Sequence, residues 1–136
     1  MTTIRVIPKR GLTPAQIGAL RRISTLSIYE IQRAAESRTS VRDVRVFGAD
    51  WEEDRRFLAK LWEPYAKGGA PFDVFEQNRD GIPGHLLAEQ FQARLRLFRA
   101  IELDQQLQVD LENGFIGSPE EFVPHDDDWF AFGAEP

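Results

Sequence analysis

The chain has 136 residues, of which 42% are hydrophobic and 29% are charged, and these values are typical of one globular domain rather than a disordered segment. It contains no cysteine, which excludes disulfides, thiolate metal sites and a cysteine nucleophile. The first ten residues lack the apolar stretch of a signal peptide, and nowhere do about 18 apolar residues run together. These features predict a soluble, cytoplasmic protein that does not enter a membrane.

The net charge of −5 conceals an uneven distribution along the chain. Residues 1–49 hold nine Lys/Arg and three Asp/Glu, a balance of +6, and residues 50–99 hold eight and nine, a balance of −1. Residues 100–136 hold no Lys or Arg and ten Asp/Glu, a balance of −10. This asymmetry favours two partners of opposite charge or a tail that folds back onto its own basic half, and a purely solubilising acidic tail is the third possibility.

The first third of the chain predicts a strand followed by two helices. Residues 3–7 alternate β-branched and polar side chains, which is typical of a strand. Residues 13–24 begin with the capping sequence Thr-Pro-Ala-Gln and carry aliphatic side chains at spacings of three, which predicts a helix. A second capping box, Ser-Ile-Tyr-Glu, opens another helix over residues 27–38.

The middle of the chain predicts a strand, a helix and a strand. Residues 41–47 alternate valine with charged side chains, and residues 71–76 contain two phenylalanines and a valine. Between them, residues 50–63 begin with acidic side chains, which the helix dipole favours in a first turn. Pro64 has no N–H to donate, so we expect it to kink or end this helix.

The last third of the chain predicts a long helix and a tail. Residues 78–84 are rich in turn formers, and residues 85–101 carry an apolar stripe at helical spacing. Residues 102–113 are compatible with a helix, because their leucines recur at spacings of four, and with a strand, because apolar and polar side chains alternate over residues 107–111. The helix is favoured because Gln, Glu and Leu dominate this segment. Residues 118–121 can form one further turn, and residues 124–136 form an irregular acidic tail.

The order of these elements predicts an α+β fold. We expect a two-layer β-α-α-β-α-β sandwich with a three-stranded sheet over residues 1–77, a helical extension over residues 78–123, and an acidic aromatic tail over residues 124–136.

Residues 20–30, Leu-Arg-Arg-Ile-Ser-Thr-Leu-Ser-Ile-Tyr-Glu, resemble the helix–turn–helix in the C-terminal domain of the bacterial ribosomal stalk protein. The junction between the two helices has the same order of side chains as in that family, polar, leucine, small and aliphatic, at residues 25–28, and a glutamate follows it at Glu30. The strand, acid-rich helix and strand that continue to about residue 76 align as well. The resemblance implies the β-α-α-β-α-β fold over about residues 1–77.

The stalk family recruits translational GTPases through lysines on these two helices. The matching positions here carry Gly18, Arg21, Tyr29 and Gln32, and only Arg21 retains a positive charge. The resemblance therefore implies the fold, and we do not expect this chain to replace the stalk.

Nothing in the sequence indicates catalysis. The two histidines, His85 and His125, lie outside any recognisable nucleophile motif. His125 and the aspartates at 126–128 are of types that bind divalent cations, but four consecutive residues cannot all face one ion without a special loop. We therefore expect no catalytic residue, no metal and no cofactor.

The sequence contains more features that are typical of binding than of catalysis. The basic first half suits phosphates or an acidic partner, but the net charge is negative and no aromatic residues are interleaved with its arginines, so we do not expect nucleic acid. The aromatic side chains of the acidic tail need a covering surface, since complete burial of each contributes about 1.5–3 kcal/mol. That surface is either the protein's own basic half or a partner. The candidate binding residues are Arg21, Arg22, Arg33, Asp126, Asp127, Asp128, Trp129, Phe130 and Phe132.

The sequence thus predicts a non-enzymatic protein-binding module, of the inhibitor, immunity or adaptor type, whose acidic C-terminal region docks a basic surface. The expected partner is a basic protein, and no membrane is involved. The alternative is a ribosome- or nucleic-acid-associated factor that uses the basic N-terminal half. An enzyme with an unrecognised site is a remote third interpretation.

Overall fold

The computed structural model describes residues 2–79 and 81–130. The chain divides into two compact units, a first unit, Met1–Phe91, and a second unit, Gln92–Pro136. Its elements, in chain order, are β1 (Thr3–Pro8), α1 (Pro14–Ile23), α2 (Ile28–Ser37), β2 (Arg42–Arg45), α3 (Trp51–Lys67), β3 (Phe72–Gln77), β4 (Gly84–Leu86), α4 (Ala88–Glu112) and a 3₁₀ turn (Pro119–Glu121).

The strands of the first unit form one antiparallel sheet in the order β2-β1-β3-β4. Ile4 lies opposite Val44, and Val74 lies opposite both Val6 and Leu86. All five side chains are buried, because they share one face of the sheet. An apolar sheet face must be covered, and the three helices of the same unit bury complementary side chains: Leu20, Ile31, Leu58 and Leu61. The α+β class is confirmed.

The first two helices begin where their capping sequences predict. The backbone N–H of Gln16 donates to Thr13 Oγ1 at 3.2 Å, and the N–H of Thr13 donates to Gln16 Oε1 at 2.8 Å. Ser27 and Glu30 form the same reciprocal pair at 3.1 and 3.0 Å. Hydrogen bonds that the backbone and the side chain of Ser27 make to the Glu30 carboxylate lower the pKa of Glu30, since they favour the charged form.

The sheet has a fourth strand that the sequence did not predict. Residues 84–86 were divided between a turn-rich linker and the start of a helix, but they pair with β3 as β4. This pairing places Leu86 opposite Val74, and Leu86 is buried. A strand of three residues is too short to show the alternation of apolar and polar side chains from which strands are predicted. The helix begins later, at Ala88, where the N–H of Leu87 donates to Gln90 Oε1 at 2.8 Å. The expected helix over residues 102–113 is confirmed, since α4 continues to Glu112.

Pro64 was expected to kink or end helix α3; it does not end the helix, which runs on to Lys67. Side chains on either side of the proline hold this last part of the helix. Trp62 Nε1 donates to the carbonyl of Ala88 at 3.1 Å, and the Tyr65 hydroxyl donates to the carbonyl of Leu86 at 2.6 Å. These tertiary hydrogen bonds offset the one backbone hydrogen bond that Pro64 cannot make.

Tyr65 should therefore titrate at unusually high pH. Its ring stacks on Phe72 at 5.6 Å, and burial raises the pKa of its hydroxyl above the ordinary 10.0. The charge of Asp73 acts in the same direction, against the hydrogen bond from the Val74 N–H. Because folding favours the neutral phenol, the stability that Tyr65 contributes is present below pH 10.0 and is lost as the pH rises through the raised pKa.

The chain has only two tyrosines, so the Tyr29→Phe variant isolates Tyr65. We expect its phenolate absorbance to appear with a midpoint above pH 10.0. The Tyr65→Phe variant is the control and should lack this step. A midpoint at or below the ordinary value in Tyr29→Phe would show that the hydroxyl is not held as described.

Candidate binding surfaces

The acidic tail is attached to α4 inside the second unit. We call this attachment the tail clasp. It consists of α4 side chains that bind the tail, Arg99, Glu102, Gln106 and Asp110, and of the tail residues that they bind, His125, Asp126 and Trp129.

Arg99 is the centre of the tail clasp. Its Nη1 donates to Asp126 Oδ1 at 2.8 Å and to Glu102 Oε1 at 3.0 Å, and its Nη2 donates to the backbone carbonyl of Asp126 at 3.0 Å. The side chain is only 8% exposed. Burial by itself lowers the pKa of Arg99, but the hydrogen bonds and charges of Asp126 and Glu102 together raise it above its ordinary value. The guanidinium is thus firmly cationic, and it fixes both an acidic side chain and the tail backbone.

The rest of the tail clasp extends along the same helix. Gln106 accepts from the N–H of His125 at 3.0 Å and donates to Asp126 at 3.2 Å. His125 Nε2 lies 2.8 Å from Asp110 Oδ2. Trp129 Nε1 donates to the same Glu102 oxygen that Arg99 binds, at 2.8 Å.

The spacing of the α4 side chains explains why the tail lies along this helix. Positions 99, 102, 106 and 110 recur at intervals of three and four, so they share one face. The same spacing is visible in the sequence and could have indicated a polar face that binds another segment. The helix was predicted there from the spacing of its leucines, and the polar positions were not considered. Arg99 is also the last Lys or Arg of the chain, so it is the nearest cation in sequence to the acidic tail.

The tail residues have different exposures. Phe130 is 2% exposed and is buried, whereas Asp127 and Asp128 are exposed. Asp128 Oδ1 accepts from the N–H of Phe130 at 3.0 Å, which fixes a tight turn. The predicted binding residue Phe132 lies outside the described residues. Among the described candidate tail residues, Phe130 is thus buried, Asp126 and Trp129 are partly buried in the tail clasp, and Asp127 and Asp128 are exposed.

The basic residues named as candidates lie in the first unit. Arg21 and Arg22 are exposed at the end of α1. Arg33, on α2, donates to the Tyr29 hydroxyl at 3.1 Å, and its guanidinium lies 5.8 Å from the centre of that ring. Arg22 and Arg33 line different cavities.

Other cations of the basic half serve the fold of the first unit. Arg5 pairs with Asp43 at 3.3 Å, and Arg38 pairs with Asp73 at 3.1 Å and donates to the carbonyl of Pro8 at 2.8 Å. These side chains are partly buried, and their charges are balanced within the unit. Asp43 is already counted in the sequence balance of +6 for residues 1–49, but Asp73 is not, so the Arg38–Asp73 pair makes the charge available to a ligand smaller than that balance suggests.

A groove with an apolar floor lies between α1 and α3 in the first unit. It has a volume of about 440 Å³. We call it the α1–α3 groove, and its lining consists of Ala19, Leu20, Arg22, Ile23, Arg42, Glu53, Arg56, Phe57, Lys60, Leu61, Pro64, Pro71 and Phe72.

Neither histidine stands free in the described fold. His85 Nε2 lies 3.5 Å from Asp73 and 3.2 Å from the Tyr65 hydroxyl, and His125 belongs to the tail clasp. Within residues 2–79 and 81–130, no cluster of three or more His, Asp or Glu side chains is arranged to hold a metal ion. No helix in these ranges is long and apolar enough to cross a membrane.

No family model, no curated protein and no solved structure matches this chain. The resemblance to the stalk domain therefore stays a prediction, based on residues 20–30 and the order of the elements that follow.

Arg99 should be the residue on which the tail clasp depends. Replacing it with methionine removes the guanidinium that binds both Glu102 and Asp126, and we expect the free energy of unfolding to fall by about 2–3 kcal/mol. The matched control is Arg96→Met on the exposed face of the same helix, which should change it by less than about 0.5 kcal/mol. Urea unfolding measures both values. Equal effects of the two variants would contradict this role for Arg99.

Proposed function

We propose that the protein is a non-enzymatic protein-binding module, of the inhibitor, immunity or adaptor type, whose acidic C-terminal region docks a basic surface of another protein. One observation carries the proposal: the second unit has both exposed apolar side chains and many exposed acids, and hydrogen bonds to α4 order its tail.

Two large apolar side chains of the second unit are strongly exposed. Phe115 is 74% exposed and Val123 is 71% exposed. Phe115 lies three residues after the last residue of α4, and its N–H donates to the carbonyl of Asp110 at 2.9 Å, which fixes its backbone. An exposed aromatic side chain on a fixed backbone is the type of residue that anchors protein interfaces.

The charge of the second unit determines the kind of partner. It contains three Lys/Arg against ten Asp/Glu, a balance of −7. The acids that are exposed in the described residues of this unit are Asp104, Glu112, Glu120, Glu121, Asp127 and Asp128. Such a surface attracts a cationic partner over a distance and speeds association at low salt.

The tail clasp contributes by ordering the acidic surface before binding. Since Asp126 and Trp129 are held on α4, Asp127 and Asp128 face outward without further loss of chain entropy. Preorganisation of this kind improves affinity by reducing the cost of ordering.

The same contacts support a non-enzymatic role. The His–Asp pairs in the described residues hold the sheet and the tail, and these roles account for His85 and His125 without chemistry. The alternative, a ribosome- or nucleic-acid-associated factor, relies on the basic half, whose Arg5 and Arg38 are engaged in internal ion pairs.

The test is capture from native lysate at low salt by the immobilised protein. We expect basic proteins to bind, to be released at high salt, and to be lost with the triple variant Phe115→Ser/Asp127→Asn/Asp128→Asn. Loss of an anchor and two charges should weaken the affinity for the captured protein at least about tenfold.

The matched control is Glu52→Gln, which removes an exposed acid from α3 in the first unit. It should leave capture unchanged. Capture of RNA in place of protein, or of the same proteins by the triple variant, would contradict the proposal.

A further inference from the structure

We propose that the α1–α3 groove is a binding site for a small amphipathic aromatic anion, a molecule with a flat apolar body and one anionic group. This site lies in the first unit and is independent of the acidic surface on which the proposed function rests.

The floor of the groove fits the apolar body of such a ligand. Leu20, Leu61 and Phe72 are buried core side chains that also line the groove, so their positions are fixed by the packing of the unit. Phe57 and Ile23 extend the apolar surface at its sides. A volume of about 440 Å³ with a preformed apolar floor is within the range of small-molecule sites, roughly 300–1,000 Å³.

The charges at the rim of the groove favour a ligand that carries a negative charge. Among the described lining residues it carries four cations, Arg22, Arg42, Arg56 and Lys60, against one carboxylate, Glu53. An uncharged ligand would leave this excess of positive charge unbalanced, and a cationic ligand would be repelled.

One of these cations is already held in place. Arg42 donates to the carbonyl of Ile23 at 3.3 Å and to Asp54 at 3.4 Å, and its guanidinium lies 3.7 Å from the centre of the Phe57 ring. Arg42 therefore shapes the wall of the groove, and part of its charge is balanced by Asp54.

The remaining three cations are free to meet a ligand. Arg22, Arg56 and Lys60 are exposed, and within residues 2–79 and 81–130 none of them has an ion-pair partner. They converge from two helices on one apolar floor. Nucleic acid would need a longer row of phosphate contacts than three cations around a compact groove provide. A single anionic group on an apolar body matches both the floor and the rim.

Anilinonaphthalene sulfonate is a suitable probe, because it is an aromatic anion whose fluorescence rises when it leaves water. Phenylnaphthylamine has the same rings without the sulfonate and is the matched uncharged probe. We expect the sulfonate to bind the folded protein with a stoichiometry of one and to bind more tightly than the uncharged probe.

Variants separate the rim from the floor. Arg56→Gln/Lys60→Gln should weaken binding of the sulfonate roughly tenfold and leave the uncharged probe unaffected. Ala19→Trp should reduce binding of both, because its ring occupies the groove. Arg10→Gln/Arg45→Gln removes two exposed cations that do not line the groove and should change neither affinity.

Three outcomes would overturn the proposal. The first is an equal loss of sulfonate binding in the Arg56/Lys60 and Arg10/Arg45 variants, which would indicate general charge attraction. The second is binding of many probe molecules per chain without dependence on Ala19, which would indicate scattered apolar patches. The third is groove-dependent binding of a free Asp-Asp-Asp-Trp-Phe peptide without binding of the sulfonate, which would assign the groove to a peptide.

Discussion

The fork of hydrogen bonds from Arg99 to Asp126 is the interaction on which the account of the second unit depends. One guanidinium binds the side chain and the backbone carbonyl of Asp126, and it also binds Glu102 of its own helix. The last cation of the sequence is thereby used to place the first aspartate of the tail. The outward direction of Asp127 and Asp128 follows from this placement.

Such a cluster is better suited to fixing a position than to adding stability. Taking Arg99 and Glu102 out of water costs free energy, which the ion pair and its hydrogen bonds largely offset rather than exceed. The hydrogen bonds of the cluster determine which tail residue lies at which position of α4. An apolar contact alone would allow several positions of the tail along the helix. Phe130 supplies burial, and Arg99 with Gln106 determines which tail residue lies where.

The parts of the fold that the sequence predicted are those encoded locally. The capping boxes at Thr13 and Ser27 place two helix starts, because each bond joins residues three apart. Strand β4 and the continuation of α3 past Pro64 were not predictable in this way. Both depend on partners distant in sequence, Val74 for Leu86 and Ala88 for Trp62.

The tail clasp, too, was predictable only where the information is local in the sequence. The composition of the tail indicated aromatic side chains that need cover, and Phe130 is buried in the structure. The residue that holds the tail was missed, since Arg99, Glu102 and Asp110 look like a solvated helix face until the tail is placed on them. The α1–α3 groove was missed because Arg22, Arg56 and Phe57 come together only when two helices pack.

The indole N–H of Trp129 tests the central claim, that the tail is part of the fold, most directly. Its hydrogen bond to Glu102 is 2.8 Å long, and the chain has only three tryptophans, so its NMR signal can be assigned with Trp129→Phe. We expect this proton to exchange with water much more slowly than in a free peptide of residues 124–136. Exchange at the rate of the free peptide would show that the tail is not held on α4 and would contradict the account.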